Sequence, residues 1–143
     1  MIIRKLEKND MDRLAYVYEQ FWGEKSDVSK MICQFDILER EDNHIFLVAE
    51  KDGMLVGSVM GVICKELYGD CKPFLVVENM IVDKHVRKNG IGGQLLFELE
   101  SIAKKRHCSQ MILVTEADRQ DACNFYEKHG FQTHNRGYKK KLL

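Results

Sequence analysis

The densest chemistry in the chain lies in Arg87-Lys88-Asn89-Gly90-Ile91-Gly92-Gly93. Glycines let backbone N–H groups approach an anion with no side chain in the way. The helix expected to follow would aim its positive N-terminus at the same point. Arg87 and Lys88 add charge that can reach phosphate, and Lys84 and His85 lie just upstream. The pattern suits a pyrophosphate, so a diphosphate-bearing cofactor is expected. It lacks the G-x-x-x-x-G-K-[ST] spacing of a P-loop and the G-x-G-x-x-G order of a dinucleotide fold. The plain alternative is a tight turn whose glycines serve geometry alone.

The surrounding elements follow from periodicity. Residues 74–82 are a nearly continuous apolar run, as expected of a strand covered on both faces, interrupted only by Glu78 and Asn79. After the glycine turn, Ile91, Leu95, Leu99 and Ile102 mark one helix face, and Lys104, Lys105 and Arg106 favour its negative end. Upstream, residues 2–6 read as a strand, and Asn9 or Asp10 can cap a helix carrying Leu14, Val17, Tyr18 and Phe21, ended by Trp22-Gly23. A second helix is expected over about 27–40, then two antiparallel strands at 45–51 and 55–64 joined at Asp52-Gly53. Residues 111–115 read as a short buried strand, 122–129 as a helix stopped by Gly130, and 131–143 as closing strand structure. The fold class is α/β: a mixed sheet flanked by helices, with a right-handed crossover between Val82 and Ile112.

Bulk properties narrow the partners. At 143 residues the chain is expected to be one domain, 1–143. Its 22 basic and 22 acidic side chains cancel, leaving no field for a nucleic-acid backbone or an anionic membrane. Five cysteines, odd in number and without C-x-x-C spacing, argue against a disulfide framework or a zinc site and fit a reducing, cytoplasmic compartment. No apolar run reaches the roughly 18 residues of a membrane span, and no signal peptide or anchor is read at the start.

Two motifs carry a family resemblance. Arg87 to Gly92 resembles the [QR]-x-x-G-x-[GA] signature of the Gcn5-related N-acetyltransferases, preceded by the expected strand. The run from Arg119 to Phe131 resembles the family's second motif, in which a short helix ending F-Y-x-x-x-G-[FY] flanks the thiol end of coenzyme A. More weakly, residues 47–57 resemble the family's hairpin. The resemblance implies a mixed, mostly antiparallel central sheet flanked by helices, with acetyl-CoA as cosubstrate and no metal. It implies direct transfer to an amine. The paired helices of the first third are where this family builds its acceptor pocket.

By the same resemblance, Met80, Ile81 and Val82 occupy the kinked part of the fourth strand, where exposed backbone groups bind the pantetheine arm, and a backbone N–H near Met80 would stabilise the oxyanion. Arg87, Lys88, Asn89, Gly90, Ile91, Gly92 and Gly93 would hold the pyrophosphate. Tyr126 matches the tyrosine near the sulfur and would protonate the departing thiolate; the alternative is that Phe125 and Tyr126 simply pack the helix. Glu78, near the kink, would take the ammonium proton; the alternative is a solvated or ion-paired carboxylate, with Glu116 and Asp118 as second choices. Asp121 is expected to cap its helix. Cys123, where histidine is often seen in members acting on small amines, is read as a packed thiol. The acceptor is expected to be a small-molecule amine. A protein N-terminus or lysine, or a non-catalytic acyl-CoA sensor, are the alternatives. Pairing of closing strands between chains would give a homodimer.

Overall fold

The computed structural model describes residues 1–143, which divide into two units, Met1–Ile112 and Leu113–Leu143. In the first unit, β1 (Ile2–Lys5), β2 (His44–Lys51), β3 (Met54–Cys64), β4 (Phe74–Val82) and β5 (Met111–Ile112) form one sheet in that order. All neighbours are antiparallel except β4 and β5. The β2–β3 hairpin closes as expected: Asp52 and Gly53 both take positive φ, 52° and 74°, the backbone of a two-residue turn that matches strand twist.

Helices α1 (Met11–Trp22) and α2 (Val28–Leu38) pack on one face of this sheet and α3 (Ile91–Lys105) on the other. Leu14 and Val17 of α1 and Phe35 of α2 bury against Val48, Leu55 and Ile81. On the opposite face the sheet is lined with glycine to admit α3: a Cβ on Gly61 would lie 2.7 Å from Leu99 Cδ1. Leu99 is fully buried and cannot swing away without cost. Gly61→Ala is expected to lower stability by about 1–2 kcal/mol, read as a lower urea midpoint at unchanged slope.

The end of α1 and the start of α2 follow local rules, but the start of α1 does not. Gly23, at φ 73°, closes α1 through a 2.8 Å bond to the Glu19 carbonyl, and Asp27 caps α2 by accepting from the Lys30 N–H at 3.0 Å. Asp10 stands at the N-cap of α1 but does not cap it. Its carboxylate is taken by both terminal nitrogens of Arg4, at 2.8 Å each, and by the Glu7 N–H. A bidentate charged partner outcompetes a neutral N–H.

In the second unit, α4 (Gln120–Lys128) starts two residues earlier than periodicity indicates, with Arg119 rather than Asp121 at the N-cap. Asp121 makes no capping bond and sits in the first turn, where its charge favours the helix dipole. β5 ends at Ile112 and is half-exposed, shorter and less buried than expected. Residues 131–143 form no strand. Polar residues 132–137 and three lysines leave no period-two apolar face to bury, and Leu142 and Leu143 stay exposed.

Candidate active site

The glycine turn is held open by its own backbone and by α1. Asp83, at the end of β4, is buried; its N–H donates to the Val56 carbonyl at 2.8 Å and its carboxylate accepts from the His85 N–H at 3.0 Å. Arg13 of α1 reaches the same carboxylate at 2.5 Å while its Nε donates to the Leu55 carbonyl at 2.9 Å. Gln20, two turns further along the same face of α1, accepts from the Lys84 N–H at 2.9 Å. Burial alone would raise the Asp83 carboxyl, but the His85 N–H, Gln20 and the Arg13 charge outweigh it and hold it below the usual range. Past this anchor, the Arg87 Nε donates to the Val82 carbonyl at 3.0 Å, and the Asn89 side-chain amide donates to the Val86 carbonyl at 3.1 Å.

Gly90 then enters the left-handed region, φ 74°, and no side chain caps α3. The first bond to a helix carbonyl is from the Gln94 N–H to Gly90, at 3.1 Å. The N–H groups of Ile91, Gly92 and Gly93 therefore have no partner inside the helix. A left-handed residue followed by right-handed ones directs successive N–H groups to one point, a concavity for an anion. Arg87 and Lys88 are exposed beside it. The donor set and the charge fit a diphosphate.

Glu78 and Asn79, the interruption in the apolar run, mark a bulge. Met60 pairs with Glu78 and Ser58 with Ile81, so β4 places two residues, Asn79 and Met80, against Val59 alone. Asn79 takes φ 50° to do so. The bulge changes which way the backbone points. Since Asp83 donates to Val56 of β3, the groups of Ile81 also face β3, and those of Met80 and Val82 face the other edge. On that edge β5 pairs only with Leu75 and Val76. Arg87 takes the Val82 carbonyl, leaving the Met80 N–H on an edge with no strand beside it.

The bulge also aims Glu78. Val77 lies opposite Gly61 on the α3 face, so Glu78 projects to the α1–α2 face, exposed and without a hydrogen bond or ion pair. Nearby, the Tyr18 phenol is pushed up to about 12 by burial, with Ser58 as its hydrogen-bond partner.

In the second unit the F-Y-x-x-x-G-F run forms the end of α4. Tyr126 packs edge-on against Phe125 and Phe131, with ring centroids 5.2 Å and 5.7 Å away. Gly130, at φ 88°, turns the chain so that the Phe131 N–H donates back to the Tyr126 carbonyl at 3.1 Å. Glu116 is bound by Lys139, whose hydrogen bond and charge hold its carboxyl low; a carboxylate so occupied is a poor base. Arg13, Gln20 and Asp83 escaped the sequence reading. The one signal was a charged residue set flush against the end of an apolar strand.

The model of the Acetyltransferase (GNAT) family matches residues 11–131. The chain belongs to the GNAT acetyltransferase family. Among its relatives, the uncharacterized N-acetyltransferase YhfO of Bacillus subtilis is 25% identical over 92% of this chain and 90% of its own. The uncharacterized protein YdhI of the same organism is 34% identical over 62% of this chain, a match spanning about half of YdhI, 54%. A putative acetyltransferase from Agrobacterium tumefaciens superposes with a TM-score of 0.93 at 19% identity, covering 99% of this chain and all of that one, 100%. The aminoglycoside N-acetyltransferase AAC(6')-Iy, solved in complex with CoA, superposes at 0.82 with 18% identity over 99% and 95% of the two chains. The GNAT family uses acetyl-CoA as acyl donor, and the sheet, its order and its flanking helices are those of the GNAT fold.

Proposed function

We propose that this GNAT domain, residues 1–143, transfers an acetyl group from acetyl-CoA directly to the primary amine of a small molecule. The observation that carries this reading is the bulge at Asn79-Met80, which frees a β4 edge and ends in an anion-binding turn. The Ile91, Gly92 and Gly93 N–H groups, with Arg87, Lys88, Asn89 and Gly90, hold the diphosphate. Met80, Ile81 and Val82 take the pantetheine arm as an added strand. The Met80 N–H polarises the thioester carbonyl. Glu78 removes one proton from the ammonium, the amine nitrogen bonds to the carbonyl carbon, and the carbon–sulfur bond breaks as Tyr126 gives its proton to the thiolate. The second proton, shed by the nitrogen as the amide forms, passes through water to restore the Tyr126 phenol, and Glu78 releases its own to solvent. The role of Tyr126 rests on its place in the second motif. An acceptor of small size is supported by the aminoglycoside activity named for AAC(6')-Iy. Five free thiols, two of them exposed, support a reducing cytoplasm as its place of work.

Calorimetric titration with acetyl-CoA, CoA, ATP and NAD, followed by thiol release over a panel of amines, tests this. Selective binding of the CoA pair with amine-dependent release is expected. Tyr126→Phe is expected to lower kcat about 100-fold with acetyl-CoA affinity unchanged. Binding without release from any amine would favour a protein acceptor or a sensor, and no CoA binding would end the transferase reading.

A further inference from the structure

The register of the sheet lays out a surface beside Glu78 that the helices leave open. On the α1–α2 face, one row across the sheet is Phe46, Met60 and Glu78, and the next is His44, Val62 and Val76. Cys64 and Phe74 close the series. The helices bury the preceding row, Val48, Ser58 and Ile81, and reach Phe46 through the Phe35 ring at 5.9 Å. Beyond that, Met60, Val62, Val76 and Phe74 are all only half-buried. His44, the other ionisable group in these rows, is bound to Glu41 at 3.0 Å and lies over Phe46. The surface is therefore apolar with one unpartnered charge, and that charge stands at the bulge.

We infer that the acceptor is a primary amine with a single positive charge and an apolar body, its ammonium at Glu78 and its chain or ring along Met60, Val62, Val76 and Phe74. This rests on the acetyl-transfer reading above and names its substrate class. One carboxylate balances one ammonium. A second cation would lose its hydration against methionine, valine and phenylalanine with nothing to replace it. An apolar body, by contrast, gains with every carbon covered. The surface is continuous with the bulge, so a body lying on it presents its amine to the free Met80 edge.

The test is a series of straight-chain 1-aminoalkanes, three to eight carbons as a chosen range of roughly that span, with benzylamine, matching terminal diamines and a polycationic aminoglycoside. Thiol release gives kcat/KM, and calorimetric titration of each amine into the CoA-saturated protein and the free protein gives affinity without turnover. For the monoamines, kcat/KM and affinity are expected to rise about threefold to fourfold per methylene until the surface is covered. Diamines of equal length should be at least about tenfold poorer. Met60→Asp should reverse the order of mono- and diamines. A flat chain-length series, a preference for diamines or the aminoglycoside, or sedimentation showing a dimer that Met60→Asp splits, which would make this face a self-interface, each overturns the proposal. Failure to bind acetyl-CoA would instead sink the transferase reading, and the amine affinities of the free protein still decide the acceptor class.

Discussion

Gly92→Asp is expected to weaken acetyl-CoA binding roughly 1,000-fold while leaving the folded state as stable as before or slightly more so. Gly92 sits in the first turn of α3, between Ile91 and Gly93, whose N–H groups share the same absence of an intrahelical partner. A carboxylate there places a negative charge where the diphosphate would lie. At about 4 Å and an effective dielectric of about 20, each like-charge pair costs on the order of 4 kcal/mol, and 1.4 kcal/mol is a factor of ten. For the empty protein the sign reverses. Asp in the first turn complements the helix dipole by about 0.3–1 kcal/mol, and it replaces the residue with the poorest helix propensity short of proline. Binding and stability thus move in opposite directions, which a merely structural turn would not produce. Calorimetry with acetyl-CoA and urea denaturation of the same sample read both. Unchanged affinity would mean that the turn's glycines serve geometry alone.

The glycine turn was legible because its geometry is local. Glycine spacing, the basic pair and the following amphipathic helix all occur within a few residues, and the backbone realises each where the sequence places it. Glu78 and Asn79 were legible as an interruption but not as a bulge. Two residues opposing one is a property of the pairing between β3 and β4, which no single strand encodes. The same limit hid the Arg13–Asp83 contact, whose partners are 70 residues apart. Asp10 and Asp121 failed as caps for a different reason. A capping residue is recognised by its type, but whether its side chain is available depends on competitors, and Arg4 claims Asp10 from a neighbouring strand. The tail was misread because the residues left after Gly130 were given to closing strands by their position in the element order, while residues 132–141 lack the alternation that would hold a strand.

Asp83→Asn is expected to cost about 2–3 kcal/mol at neutral pH, the largest single loss of stability among these substitutions. The amide oxygen of the variant would still accept from the His85 N–H, so the turn keeps that bond, but Arg13 loses its counter-charge. Removing one partner of a buried pair costs about 3–5 kcal/mol. Here the Arg13 side chain is 28% exposed and can partly rehydrate, which places the cost at the lower end or below. The pH dependence identifies the cause. The Asp83 carboxyl is held below its usual range in the folded state, so the unfolded chain binds a proton first as the solution acidifies. Its contribution is therefore complete above the ordinary carboxylate value, about 4, and disappears as pH falls through the depressed folded value. Urea midpoints of wild type and variant should differ most near neutrality and converge in acid. The same variant should raise the dissociation constant for acetyl-CoA several-fold, because Asp83 anchors the start of the turn to α1 and β3. A midpoint gap that persists unchanged into acid would mean that shape, not the charge of Asp83, holds the turn in place. A gap that closes while acetyl-CoA affinity stays at the wild-type level would separate the two roles, leaving Asp83 as a stabilising residue only.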